Sequence, residues 1–288
     1  MEVKAIACEL PYKHGIPLSR FSISEIHREV VTRGITAEIS GTTIWRWLHA
    51  DAIRPWQYRS WIFPRDPAFE EKAGRVLDLY EGHWEGNPLG PREYVLSADE
   101  KTSIQARIRR HKTLGPMPGM PIKVEHEYQR GGAFNYLAAW DVHRARIFGR
   151  VESRTGIDAF SRLVAQVMSQ EPYRSAESVF WLVDNGSSHR GARAQKRLQE
   201  TWPHAMMVHL PVHASWLNQI EIFFSIVQRK VLTPNDSASA GELEERLLRF
   251  QRHYQETAKP FEWKFTKRDM AKLMQKLSDL PALLEKAA

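Results

Sequence analysis

Residues 178–186 read Ser-Val-Phe-Trp-Leu-Val-Asp-Asn-Gly. A short apolar run without polar alternation predicts a strand buried on both faces, Ser178–Val183, and the Asp-Asn-Gly that follows predicts its end. Upstream, Glu93–Ala98 (Glu-Tyr-Val-Leu-Ser-Ala) has the same character and runs into Asp99. Between them, Phe134–Val142 and Arg146–Glu152 flank His143-Arg144-Ala145 and predict a hairpin. Gly156–Gln170 places Ile157, Phe160, Leu163, Val164 and Val167 at helical spacing. Downstream come a basic helix over Gly191–Trp202 and a strand over Ala205–Leu210. A long helix over Ser215–Leu232 follows, and then a largely helical stretch from 241 to 287. The order β, β-β, α, β, α, β, α predicts an α/β domain, a mixed sheet with helices on both faces.

The N-terminal part has a different texture. Over residues 22–34, Ser22 or Ser24 caps a helix whose Ile23, Ile26 and Val30 share a face and which Gly34 ends. Ser40 caps a second helix, Gly41 to about Ala50, with Thr42, Thr43, Arg46 and Trp45 pointing outward. Two short helices with a Gly-containing turn fit a helix-turn-helix; such pairs also serve plain packing, and the pattern alone leaves both open. Residues 53–67 carry Pro55, Pro64 and Pro67, which forbid a long helix. That connector either tracks phosphates through Arg54, Arg59 and Arg65 or is anchored by its tryptophans without a ligand. A polar helix over 68–84 and the Gly/Pro break at 86–91 complete the segment.

Composition excludes several classes. The 288 residues include one cysteine, Cys8, so there is no internal disulfide and no multi-cysteine zinc site. No run approaches the ~20 apolar residues of a membrane span, and the first residues lack the pattern of a secretory signal; a cytosolic protein is the expectation. Net charge is +7, with pI near 9.5. Residues 101–150 alone hold ten Lys or Arg against three acids, which suits a face meeting a polyanion.

Three carboxylates stand out. Asp99 and Asp184 each end an apolar strand, where functional side chains of α/β sheets gather. Glu221 lies in an otherwise apolar helix. Brought together, the three would repel unless divalent cations neutralised them, and oxygen-only ligation suits Mg²⁺ or Mn²⁺. Two such ions roughly 3.5–4 Å apart suit phosphodiester chemistry.

Ser-Ala-Asp-Glu-Lys-Thr (97–102), Val-Asp-Asn-Gly-Ser-Ser-His (183–189) and Pro-Val-His-Ala-Ser-Trp-Leu-Asn-Gln-Ile-Glu (211–221) resemble the motifs of bacterial IS-630-type insertion-sequence transposases, in the mariner superfamily of DDE recombinases. The 36 residues between Asp184 and Glu221 match that superfamily's spacing. The resemblance covers about residues 20–235. It implies a ribonuclease H-like catalytic domain and Asp99, Asp184 and Glu221 as the metal-binding triad for two ions. It also implies cleavage at element ends and strand transfer into target DNA, with TA as the suggested target. Its implied partners are double-stranded DNA (terminal inverted repeats and target) and a second copy when two ends are synapsed, in the bacterial cytoplasm near the nucleoid. The family's helix-turn-helix region would make Thr42, Thr43 and Arg46 DNA contacts, and Arg54 and Arg59 of the connector would then be on the phosphates. Family members carry two such units; only the second fits here, so a shortened or alternatively started product is expected. The implied division is 1–52 for DNA recognition, 53–90 for the linker and helix, 91–235 for the catalytic domain and 236–288 for a C-terminal helical extension.

Other residues stay two-sided. Glu100 neighbours Asp99 but points to the opposite face of a strand. Asn185 and Asn218 suit hydrogen bonds to the carboxylates, and His189 suits either a phosphate or its own loop. Arg190, Arg193, Lys196 and Arg197 make a basic helix face, solvated or laid on DNA backbone. His204, His209 and His213 are too scattered for zinc, and Trp216 reads as a core anchor. An inactive DNA-binding derivative and a ribonuclease H-type nuclease without strand transfer remain the rival readings.

Overall fold

A computed structural model of the protein describes residues 1–58, 64–186 and 191–279. The chain divides into two compact units, Met1–Ile62 and Phe63–Ala288.

The first unit packs three helices, α1 (Glu2–Cys8), α2 (Ile23–Thr32) and α3 (Gly41–Ala50), around Val3, Ile6, Phe21, Ile26, Val30, Ile44 and Leu48. The expected caps are present. Ser22 Oγ accepts from Glu25 N while Glu25 Oε2 accepts from Ser22 N at 2.6 Å, a capping box, and Ser40 Oγ accepts from Thr43 N at 3.1 Å. Helix α1 went unforeseen, although Val3, Ile6 and Ala7 form its buried face.

In the second unit, α4 (Phe69–Tyr80) precedes two short bridging strands, β1 (His83–Trp84) and β2 (Asn87–Pro88). Then come β3 (Glu93–Ile108), β4 (Gln129–Asp141), β5 (Arg146–Glu152), α5 (Ile157–Met168), β6 (Ser178–Val183), α6 (Gly191–Thr201), β7 (Ala205–His209), α7 (Ile220–Lys230), α8 (Ala240–Thr257) and α9 (Lys267–Ser278). The sheet runs β5-β4-β3-β6-β7; β5, β4 and β3 are antiparallel, and β6 and β7 lie parallel to β3. One face presents Val95, Tyr136, Trp140, Phe180 and Leu182 to α4, α7 and α8. The other presents Leu96, Leu137, Val179 and Trp181 to α5 and α6. Covering both faces explains why β6 is apolar at every position after Ser178, and each buried Leu or Phe there contributes about 1.5–3 kcal/mol.

Three expectations change. Strand β3 continues ten residues past Ala98, with a register irregularity between Lys101 and Ile104 and Ser103 at φ 55°. That bulge resets the alternation, so Ile104 and Ala106 return to the same core face as Val95. The expected helix over 215–232 is broken: a single tight turn at Ser215–Leu217, an extended Asn218 (φ −83°, ψ 111°), then α7. As far as residue 279, the expected helical stretch from 241 to 287 is two helices with the non-helical segment 258–266 between them, and its last residues lie outside the described ones. There Phe261, Trp263 and Phe265 are half-buried and alternate with exposed Glu262, Lys264 and Thr266, a period of two that a helix cannot use.

Candidate active site

Strand register builds the site. In the parallel pair β3–β6, Ser97 stands opposite Leu182. Two residues beyond that last rung come Asp99 in β3 and Asp184, just past the end of β6. Adjacent strands run about 4.8 Å apart, and side chains two residues apart share a face. Val95 lies on the face that α7 covers, as do Phe180 and Leu182, so alternation directs Ser97, Asp99, Lys101 and Asp184 there as well. Asp99 is thus in mid-strand, yet it lies beyond the last rung of its parallel neighbour, where the sheet opens.

Asn218 joins this edge to α7. It is 1% exposed. Its Nδ2 donates to Ala98 O and to Asp99 Oδ2, each at 3.1 Å, and its Oδ1 accepts from Ser97 Oγ. Ser97 Oγ in turn accepts from Ile220 N at 2.9 Å. One buried amide therefore breaks the helix, fixes the first aspartate and seats the first turn of α7. That turn carries Glu221. From the other side, Tyr80 of α4 donates its hydroxyl to Leu217 O at 2.6 Å and accepts from Gln219 N at 3.2 Å. Burial pushes the Tyr80 pKa well up, so the phenol stays a donor.

Asp99 Oδ1 accepts from Glu100 N at 2.7 Å, and Asp184 Oδ1 accepts from Gly186 N at 2.8 Å. A Cβ on Gly186 would stand 2.8 Å from that same oxygen, so any larger residue would displace the Asp184 carboxyl. Glu221 is solvent-facing as a residue, but its carboxyl is partly overhung. Desolvation pushes its pKa up, the positive charge of Lys101 opposes this, and the negative charge of Asp184 adds to it. Asp184 and Glu221 thus feel one another across the site. Among the described residues, no three His, Cys, Asp or Glu side chains are grouped closely enough to hold an ion as they stand. The aspartate carboxyls are engaged instead by the local amides just named. None of the three acids is sealed in the apolar interior, and Asp99 and Asp184 are half-buried.

A family model described as a DDE superfamily endonuclease matches residues 94–244, more than half of the chain. The chain belongs to that family. Among solved structures, the Mos1 mariner paired end complex with Mn is similar at 14% identity and TM-score 0.54, over 98% of this chain and 77% of that one. The Mos1 Strand Transfer Complex is similar at 13% identity and TM-score 0.45, over 91% and 78%. No curated protein sequence matches significantly. The first likeness shows the fold: the mixed five-stranded sheet of this DDE endonuclease is ribonuclease H-like.

The remaining sequence candidates fall in several places. Asn185 donates to Leu210 O at 2.7 Å, tying the loop after β6 to the end of β7. His189, Arg190 and Arg59 lie outside the described residues. Arg193, Lys196 and Arg197 are exposed on α6, which packs on the opposite face of the sheet from α7. Arg197 there lines a groove with Ile157, Phe160 and Trp202, so the basic face does not lie over the carboxylates as its place in sequence suggested. In the first unit, Thr42, Arg46 and Arg54 are exposed, and Thr43 is half-buried and accepts from Arg46 at 3.3 Å. Trp45 is outward, as expected, with Trp47 beside it on the surface of α3. Trp216 is an anchor, packed on Phe69 and Phe265. Ser97, Tyr80 and Lys101 were missed as site residues. Ser97 left a signal, a hydroxyl inside the apolar run from Tyr94 to Ala98. No described helix is long and apolar enough to cross a membrane.

Proposed function

We propose that this DDE endonuclease is the transposase of an IS-630-type insertion sequence, cutting DNA at the element's ends and joining the freed 3′-hydroxyl to target DNA. What supports the reading is that Asn218, three residues before Glu221, is bonded to Asp99, and that the charge of Asp184 reaches Glu221. The donor set suits Mg²⁺ or Mn²⁺: it is oxygen-only, and a divalent cation held by these carboxylates would offset the repulsion between Asp184 and Glu221. When bound, two such ions supply the activation of the attacking oxygen and the stabilisation of the leaving one.

The chain's own groups prepare the site. Asn218 fixes the Asp99 carboxyl, the Gly186 amide orients Asp184, and Lys101 offsets part of the charge on Glu221. Residues 91–235 serve as the catalytic domain and 236–288 as its helical extension. Residues 1–52 serve as the recognition segment, with Thr42, Thr43 and Arg46 on the outer face of α3 addressed to a major groove and Arg54 to the backbone. Residues 53–90 join the two. Synapsis of two ends calls for a second copy of the chain, which accords with the fold likeness to a protein solved as a paired end complex.

The test is nicking of a duplex carrying the inverted repeats that flank the gene, with a repeat-free duplex as comparison. Cleavage is expected to require Mg²⁺ or Mn²⁺, to favour the repeat and to vanish in Asp184→Asn while DNA binding persists. An Asp184→Asn protein cutting at the wild-type rate would refute the assignment.

A further inference from the structure

Residues 258–266 lie beyond the family match and beyond the three acidic motifs. Their aromatic side chains recur at every second position, and each meets a ring from a different element. Phe261 stacks on Trp140 of β4 with centroids 4.5 Å apart; Trp263 meets Tyr80 of α4 edge-on at 5.1 Å; Phe265 meets Trp216 edge-on at 4.9 Å. Two of these three partners belong to the machinery of the turn at 215–219. Trp216 lies within it, and Tyr80 holds it through Leu217 O and Gln219 N.

We propose that this aromatic segment is a strap that positions the turn carrying Asn218 and Glu221, making Trp263 and Phe265 positioning residues for the DDE site. The turn needs such support. Its backbone leaves helical geometry at Asn218, so no continuous helical ladder fixes where α7 begins. Its place is set by side chains: Ser97 and Asn218 beneath it, Tyr80 and Phe69 on the α4 side, and the strap against the rings of Tyr80 and Trp216. Edge-to-face contacts restrain ring orientation as well as bury area, so a fixed Tyr80 ring means a fixed hydroxyl. The strap is itself anchored. Thr266 and Asp269 form a capping box at the start of α9, and Lys267 is ion-paired with Asp78 of α4, two residues before Tyr80.

The catalytic consequence rests on the proposed function; the positioning does not, and the experiment separates them. Backbone amide exchange is measured on the full chain for wild type, Trp263→Leu, Trp263→Phe and Tyr80→Phe. Leu163→Ala, a core cavity in α5 on the far face of the sheet, is the comparison. Trp263→Leu is expected to speed exchange at Gln219 and Ile220 at least tenfold relative to amides in β3, with Trp263→Phe within threefold of wild type. Tyr80→Phe is expected to reproduce the effect at Gln219, and Leu163→Ala to leave both amides as they were. Equal acceleration throughout the unit, the same effect from Leu163→Ala, or no effect at all would overturn the strap's role. In parallel, Mn²⁺-dependent nicking of supercoiled plasmid is expected to lose about tenfold in kcat for Trp263→Leu with KM unchanged. Accelerated exchange with unchanged kcat would overturn the positioning role, and a wild-type protein that never nicks would sink the functional reading while the exchange data still decide the strap.

Discussion

Asn218 shows what one buried amide does at this site. It donates to Asp99 and to the Ala98 carbonyl and accepts from Ser97, so removing it takes one hydrogen bond from each of three buried or half-buried groups. Groups that orient metal-binding side chains typically alter activity 10–100-fold when lost. Asn218→Ala is therefore expected to slow metal-dependent nicking by about 10–100-fold with the chain still folded, measured as an initial rate at saturating Mn²⁺; an unchanged rate would place Asn218 outside the machinery. At this scale the sequence was legible where chemistry and local pattern coincided. Asp99 and Asp184 follow apolar runs, Glu221 interrupts one, and Asn218 stands three residues before it. Tyr80 was illegible because its role arises from contact with a turn 137 residues away, and nothing in a polar helix marks which tyrosine makes it. Lys101 is legible as part of a basic stretch and of the first motif, but its bearing on Glu221 depends on the strand alternation that the bulge after it interrupts.

Among the elements, β5 and α5 are held together by Glu152. Its carboxylate receives Arg162 at 2.6 Å and Arg150 at 2.6 Å. The Arg162 contact, assisted by Arg150 and opposed by desolvation, holds the Glu152 pKa below its ordinary value. A carboxylate with a depressed folded pKa adds stability above its unfolded pKa, about 4.3, and loses it as pH falls through the folded value. Glu152→Gln is thus expected to lower Tm at pH 7 by on the order of 3 °C, with the gap to wild type closing below about pH 4. A gap that persists at pH 3 would mean that shape, not charge, matters there. Element boundaries were readable where a cap or a turn residue wrote them: Ser22 and Ser40 begin α2 and α3, and Arg146 and Glu152 bound β5. They were unreadable where tertiary contacts cut across local preference. The apolar spacing of Leu217, Ile220, Phe224 and Val227 suggests one helix, and the break comes from Asn218 bonding across to β3. Between 241 and 287 helix-forming residues predominate, and the Phe-Glu-Trp-Lys-Phe alternation that forms the strap is only five residues long.

For the whole molecule, the account comes down to whether three acids far apart in sequence act as one site. The order of elements indicated the mixed sheet directly, because apolar runs of strand length alternate with amphipathic stretches of helix length. That three acids share a site was legible only through motif resemblance; the nearness of Asp99 to Asp184 depends on a strand register, and that of Glu221 on a helix seat, that only the folded chain supplies. Anomalous diffraction from crystals equilibrated with Mn²⁺ addresses it most directly. The account predicts manganese peaks at the carboxyls of Asp99, Asp184 and Glu221, lost in Asp184→Asn. Manganese bound elsewhere, or absent from these carboxyls at saturating concentration, would contradict it.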